Sequence, residues 1–171
     1  MLKKILFPAC IVMMTSSAFA ADGSLNFKGS FTDSPCEVTI NGQQNNTIDM
    51  GVWNTANYTD AGKMTDYVPI EITLSNCPAA TKANFLFSGD VVTDNADYFS
   101  VEEQELTDLV GIGLYTAQSN SSLIKPNARD FSVDLDNGNT TTATIYAAYN
   151  TFGKTVPGDA NANVTFDISY N

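Results

Sequence analysis

Pro157-Gly158-Asp159-Ala160-Asn161-Ala162-Asn163 followed by Val164-Thr165-Phe166-Asp167-Ile168-Ser169-Tyr170-Asn171 is the stretch that decides the fold. A turn signal gives way to strict apolar–polar alternation. Period-two alternation puts Val164, Phe166, Ile168 and Tyr170 on one face of a β-strand. A strand this apolar needs a covered edge, because unpaired backbone groups along an exposed edge recruit other chains. A second alternating segment lies near the other end, where Leu25, Phe27, Gly29 and Phe31 share one face. Two such strands point to a subunit that donates one and receives another.

The first twenty residues read as a secretory signal peptide. Met1-Leu2-Lys3-Lys4 is a short basic start, Ile5 to Met14 is an apolar run too short to span a bilayer, and Ala18-Phe19-Ala20 is a small-x-small cleavage site. The mature chain is then residues 21–171, a length that suits one domain with a real core. Without Lys3 and Lys4, 6 basic side chains face 19 acidic ones, a net charge of −13. Such a surface repels nucleic acid and anionic membranes. The acidic residues are scattered, with a mild concentration from Asp90 to Asp108, and read as a solvated face rather than a metal site.

Cys10 leaves with the signal peptide, so Cys36 and Cys77 remain as an even pair in an exported protein. A disulfide between them is the expectation. It closes a loop of about 42 residues, worth roughly 4 kcal/mol in the chain-entropy picture. The chain holds no histidine. That excludes Ser-His-Asp and Cys-His nucleophile systems and removes the usual zinc and copper ligands. Paired carboxylates remain available for glycoside hydrolysis, but no motif singles out one pair. No catalytic residue, metal ligand or cofactor is expected.

Between the two ends the pattern is all-β. Cys36, Val38 and Ile40 alternate into the turn signal Asn41-Gly42, and Ile48 and Met50 alternate up to a bend at Gly51. Trp53, the single tryptophan, is expected in the core. Ile70, Ile72 and Leu74 form a clean strand face running into Cys77-Pro78. Phe85 and Phe87 precede a Ser88-Gly89-Asp90 turn. Val110, Ile112 and Leu114 alternate with Gly111, Gly113 and Tyr115. Phe131, Val133 and Leu135 lead to Asp136-Asn137-Gly138, and Ala143, Ile145, Ala147 and Tyr149 form the return strand. Many short strands at this spacing argue a β-sandwich. Val101–Leu109, with Glu102, Glu103 and Gln104, is the one segment that reads as a helix.

These residues resemble the chaperone–usher fimbrial subunits, the pilins of type 1-like pili. Three segments carry the resemblance over most of the mature chain: Phe27-Lys28-Gly29 followed by Cys36; Ile70-x-Ile72-x-Leu74-x-x-Cys77; and Pro157-Gly158-x-Ala160-x-Ala162 with Phe166-x-Ile168-x-Tyr170-x. The resemblance implies an incomplete immunoglobulin-like β-sandwich that lacks its final strand, with an N-terminal donor-strand extension. Its divisions are 1–20 signal peptide, 21–34 donor extension and 35–171 sandwich. Strand donation between subunits is a known mode of β-augmentation, and it is this family's mode. Leu25, Phe27 and Phe31 would enter the groove of a neighbour, and Gly29 would sit where there is no room for a side chain. Burying each apolar residue is worth roughly 1.5–3 kcal/mol, or about 5–9 for three.

The terminal strand Val164, Phe166, Ile168, Tyr170 and Asn171 would border the groove, and a periplasmic chaperone would hold Tyr170 and the Asn171 carboxylate there. An outer-membrane usher, neighbouring subunits and a host receptor at the pilus tip complete the implied partners. The implied role is a structural, non-enzymatic subunit of an extracellular fimbria, exported through the periplasm. A minor adaptor or a glycan-binding tip subunit is the alternative. Tyr58, Tyr67 and Tyr98 are the tyrosines available to stack on sugars.

Overall fold

A computed structural model describes residues 36–44, 47–136 and 140–171. The signal peptide, the donor residues Leu25, Phe27, Gly29 and Phe31, and the Asn137-Gly138 turn lie outside the described residues. Ten strands run in chain order: β1 Glu37–Ile40, β2 Val68–Ser75, β3 Lys82–Ser88, β4 Val91–Val92, β5 Asn95–Ser100, β6 Val110–Tyr115, β7 Leu123–Ile124, β8 Phe131–Asp134, β9 Thr141–Thr151 and β10 Thr165–Tyr170. They form two sheets among the described residues. The larger is ordered β1-β2-β9-β6-β5-β4, with β7 also paired to β6; the smaller is β10-β3-β8. All these pairings are antiparallel.

Alternation decides what each strand buries. On β3, Ala83, Phe85 and Phe87 turn inward and are buried, while Lys82 and Leu86 are not. Opposite them stand Ile70, Ile72 and Leu74 of β2, Ile145 and Ala147 of β9, and Ile112 and Leu114 of β6. This is the sandwich arrangement of two inner faces making one core. Phe85 is at its centre: its ring stacks on Phe87 at 5.8 Å and meets Phe131 at 5.3 Å and Phe166 at 6.2 Å.

A disulfide joins Cys36 to Cys77. It ties the residue before β1 to the loop after β2, two strands that pair from Glu37↔Ser75 to Ile40↔Ile72. The Asn41-Gly42 turn has φ values of 49° and 78°, the left-handed pair that a two-residue hairpin turn demands. Ile40 and Gln43 exchange both backbone bonds across it. Among the described residues that hairpin ladder goes no further. Ile48 and Met50 are not in a strand, although both pack against the core half-buried.

Two other expectations are corrected. Val101–Leu109 is a run of turns, not a helix. Its bonds are mostly of the three-residue kind, Leu106 N to Glu103 O and Leu109 N to Leu106 O. Val101, Leu106 and Val110 instead form a small cluster of their own with Val156 and Ala160. Burying three unevenly spaced apolar residues outweighs the weak helix preference of so short a segment. Trp53 is not in the core. It is half-buried in a loop, its Nε1–H donating to Met50 O at 2.8 Å and its ring edge-on to Tyr58 at 6.2 Å.

Candidate functional site

The small cluster positions the turn that launches β10. Gly158 lies so close to Leu106 that a Cβ there would stand 3.1 Å from Leu106 Cδ1. Glu102 N–H donates to Asn161 O at 2.8 Å, and Tyr149 Oη–H donates to Ala160 O at 2.7 Å. The chain thus leaves the turn already oriented, and Thr165–Tyr170 pairs with β3 from Thr165↔Ser88 to Tyr170↔Ala83.

That register aims Phe166, Ile168 and Tyr170 at the core, opposite Phe87, Phe85 and Ala83. Yet Val164, Phe166, Ile168 and Tyr170 are only half-buried, whereas Ala83 and Phe85 are 0% exposed. β10 has β3 on one side and, among the described strands, nothing on the other. β1 ends the larger sheet in the same way, and its inward residues Val38 and Ile40 are also half-buried. All six pack against the cluster that contains Ile72, Leu74, Phe85 and Phe87.

The two sheet ends meet at one point. Cys36 N–H donates to Tyr170 Oη at 3.2 Å, which bridges from the last residue of β10 to the start of β1. The same end of β10 is also fastened from outside. The Asn171 main-chain oxygen accepts from Thr81 N, Lys82 N and Thr81 Oγ1 at 2.7, 3.0 and 3.0 Å. Asn84 Nδ2 donates to Asn171 Oδ1 at 2.8 Å, and Arg129 Nη1 donates to Ser169 Oγ at 2.9 Å. At the turn before β10, burial first and the negative charge of Asp49 second hold the Tyr149 hydroxyl above the usual tyrosine range.

The site is therefore an apolar edge with a backbone ladder along one rim. An edge of this kind is suited to strand addition, in which main-chain hydrogen bonds supply register and alternate side chains fill apolar niches. The structure brings together the sequence-derived Val164, Phe166, Ile168 and Tyr170 with Cys36. It adds Val38 and Ile40 as a second wall, readable as an alternating pair but not as a wall without the sheet order. Thr81, Asn84 and Arg129, which hold the end of β10, carry no local signal at all.

Such a fold, with half-covered apolar strands ending both of its sheets, belongs to the class of immunoglobulin-like β-sandwiches. The family model described as "Fimbrial protein" matches residues 25–171, and the chain belongs to that family. It is similar to the probable major fimbrial subunit LpfA of Escherichia coli O157:H7, with 33% identity over 99% of this chain and 97% of the relative. The type-1 fimbrial protein, A chain, of Salmonella typhi is 30% identical over 95% and 94% of the two chains. Among solved structures, the P pilus rod subunit PapA has the same fold at a TM-score of 0.65 and 17% identity, over 81% of this chain and all of that one. Family membership makes this chain a structural subunit of a surface fimbria, with neighbouring subunits as partners.

Proposed function

We propose that this chain is a rod-forming subunit polymerised by donor-strand exchange, the segment 21–34 of one copy entering the edge between β1 and β10 of the next. The observation that carries this reading is the half-buried row Val164, Phe166, Ile168 and Tyr170 beside the half-buried Val38 and Ile40. Leu25, Phe27 and Phe31 match that row in spacing and character. The named role of the relative LpfA, a probable major subunit, supports the rod assignment. A periplasmic chaperone covers the same edge before assembly, an usher assembles the subunits at the outer membrane, and the tip of the filament meets the host receptor. The signal peptide at 1–20 serves the periplasmic route.

The test is competition. Chaperone-held subunit is mixed with a synthetic peptide spanning Ala21 to Asp33, and release of the chaperone is followed. The wild-type peptide is expected to displace the chaperone and raise the melting temperature; a peptide carrying Gly29→Leu is not. Equal displacement by both peptides, or by neither, would sink the reading. Counting copies in sheared filaments then separates a rod subunit from an adaptor.

A further inference from the structure

The outer face of the larger sheet carries a layer of aromatic rings that strand exchange does not use. Outer faces of antiparallel sheets are ordinarily polar. Here Tyr67, Tyr115 and Tyr146, from three separate segments, meet on one: Tyr67 lies edge-on to Tyr115 at 5.3 Å and to Tyr146 at 6.2 Å. Tyr115 is the floor, only 1% exposed although it points away from the core. Its ring folds back along its own strand. A Cβ at Gly113 would stand 2.5 Å from Tyr115 Oη, so glycine makes the space. Gly111 does the same one step along, under Tyr98 and Phe152, whose rings meet at 5.1 Å. The alternation Gly111-x-Gly113-x-Tyr115 is thus the sequence signature of an outward aromatic bed.

The rings are fixed as well as grouped. Asn150 Nδ2 donates to Tyr115 Oη at 2.9 Å, and Tyr115 Oη–H donates to Met64 Sδ. Tyr67 Oη–H donates to Asn120 Oδ1 at 3.1 Å. Burial above all holds the Tyr115 hydroxyl above the tyrosine range, and the Tyr98 hydroxyl beside it adds to the rise. The trio Tyr67, Tyr115 and Tyr146 and the pair Tyr98 and Phe152 lie along the outward face of β6, over Gly113 and Gly111 respectively. Tyr67, Tyr98, Tyr146 and Phe152 are half-buried on that face.

We infer that this patch is a binding site for a neutral oligosaccharide, a site on the side of the subunit distinct from the edge that joins subunits. Three arguments select that occupant. Ordered tyrosines offer an apolar face and a polar rim together, which is what a pyranose ring with one C–H face and equatorial hydroxyls requires. The exposed part is a few half-covered rings, far short of the roughly 800 Å² per partner that a stable protein interface needs. The charge of the chain without its signal peptide, 6 basic against 19 acidic side chains or −13, disfavours an anionic sugar and leaves a neutral one unopposed. In a filament the site would repeat once per subunit, so that weak binding at each would add through multivalency. This repetition rests on the rod reading; the site itself does not.

The test uses assembled filaments and soluble lacto-N-neotetraose, a neutral galactose-terminated tetrasaccharide, with its sialylated form as the second arm. Equilibrium dialysis is expected to give roughly one neutral sugar bound per subunit, as a single site per subunit requires. Tyr67→Ala with Tyr146→Ala should weaken binding about tenfold or more, and Tyr67→Phe with Tyr146→Phe should keep most of it. The sialylated form should bind more weakly than the neutral one. A tyrosine difference spectrum of wild-type filaments on adding the neutral sugar needs no variant, and should show the rings perturbed. Binding at a small fraction of the subunits and indifferent to the tyrosines would belong to the filament tip and would overturn the inference. So would an unperturbed spectrum at saturating sugar, or preference for the sialylated form. Filament assembly, scored by electron microscopy in the same samples, reports separately on strand exchange.

Discussion

β3 and β10 lie side by side, share one alternation pattern, and come to opposite ends. Ala83, Phe85 and Phe87 on β3 vanish into the core, while Phe166, Ile168 and Tyr170, directly across the ladder, stay half-covered. Their side chains are equally apolar. The difference is neighbours: β3 has a strand on each side, β10 and β8, whereas β10 has β3 alone among the described strands. Burial in a sandwich is conferred by the flanking strand as much as by the opposite sheet. A strand with one flank missing keeps its apolar face as an unfilled capacity. In β3 that capacity is spent on stability; in β10 it stays open, and the proposed strand exchange would use it.

The largest expected effect breaks the pair apart. Phe85→Ala should cost about 3–5 kcal/mol, because a central ring touching Phe87, Phe131 and Phe166 is lost with no room to collapse. Urea denaturation of the subunit held with a donor peptide would show it, and the protein should fail to accumulate in cells. Phe166→Ala, the same chemistry one strand over, should cost about 1.5–3 kcal/mol there. Its cost should shrink further when no donor segment is present, since under the proposed exchange that segment would supply part of its burial. Equal costs at both positions, with and without the donor peptide, would erase the distinction between the strands.

Next in size is the link between β1 and β2. Cys36→Ser with Cys77→Ser should lower stability by about 2–5 kcal/mol. Because the bridge fixes Cys36, which contacts Tyr170, donor-peptide affinity should fall along with the denaturation midpoint. A loss of stability with affinity intact would show that the position of β1 is set by its ladder with β2 and not by the disulfide.

Much of this arrangement is legible in the sequence, for a physical reason. Alternation is a local signal, and Ile70-x-Ile72-x-Leu74, Phe85-x-Phe87 and Phe166-x-Ile168-x-Tyr170 each carry it within a few residues. Their strands stand where that pattern puts them. Turn chemistry is also local, as Asn41-Gly42 shows. What escaped was long-range. Val101–Leu109 offers helix-tolerant residues, but Leu106 is claimed by Val156 and Ala160, some fifty residues away in the chain. Trp53 has the composition of a core residue, yet its partner is the Met50 carbonyl three residues back. Arg129 reaches Ser169 across forty residues, and no spacing rule encodes that. On the outer face, Gly111 and Gly113 were visible as alternation, but the rings that occupy their vacant Cβ positions come from β5 and from beyond β9 as well as from β6.

The smallest prediction probes the one place where β10 is not open. Tyr170 donates nothing to a ladder on its free side, but its Oη receives the Cys36 N–H. Tyr170→Phe keeps the ring over Ala83 and removes only that acceptor. The net cost of a typical protein hydrogen bond is about 0.5–1.5 kcal/mol, and this bond is only partly shielded from water, so the low end applies. The consequence for binding is more telling than the stability. If Tyr170 pins the two walls together, its loss should raise the rate at which donor peptide enters and leaves, with little change in equilibrium affinity. Stopped-flow exchange of a labelled donor peptide separates the two. Unchanged rates would mean that the walls are held by the Asn171–Thr81 contacts instead, and that the clasp from Tyr170 to Cys36 follows the position of β10 rather than setting it.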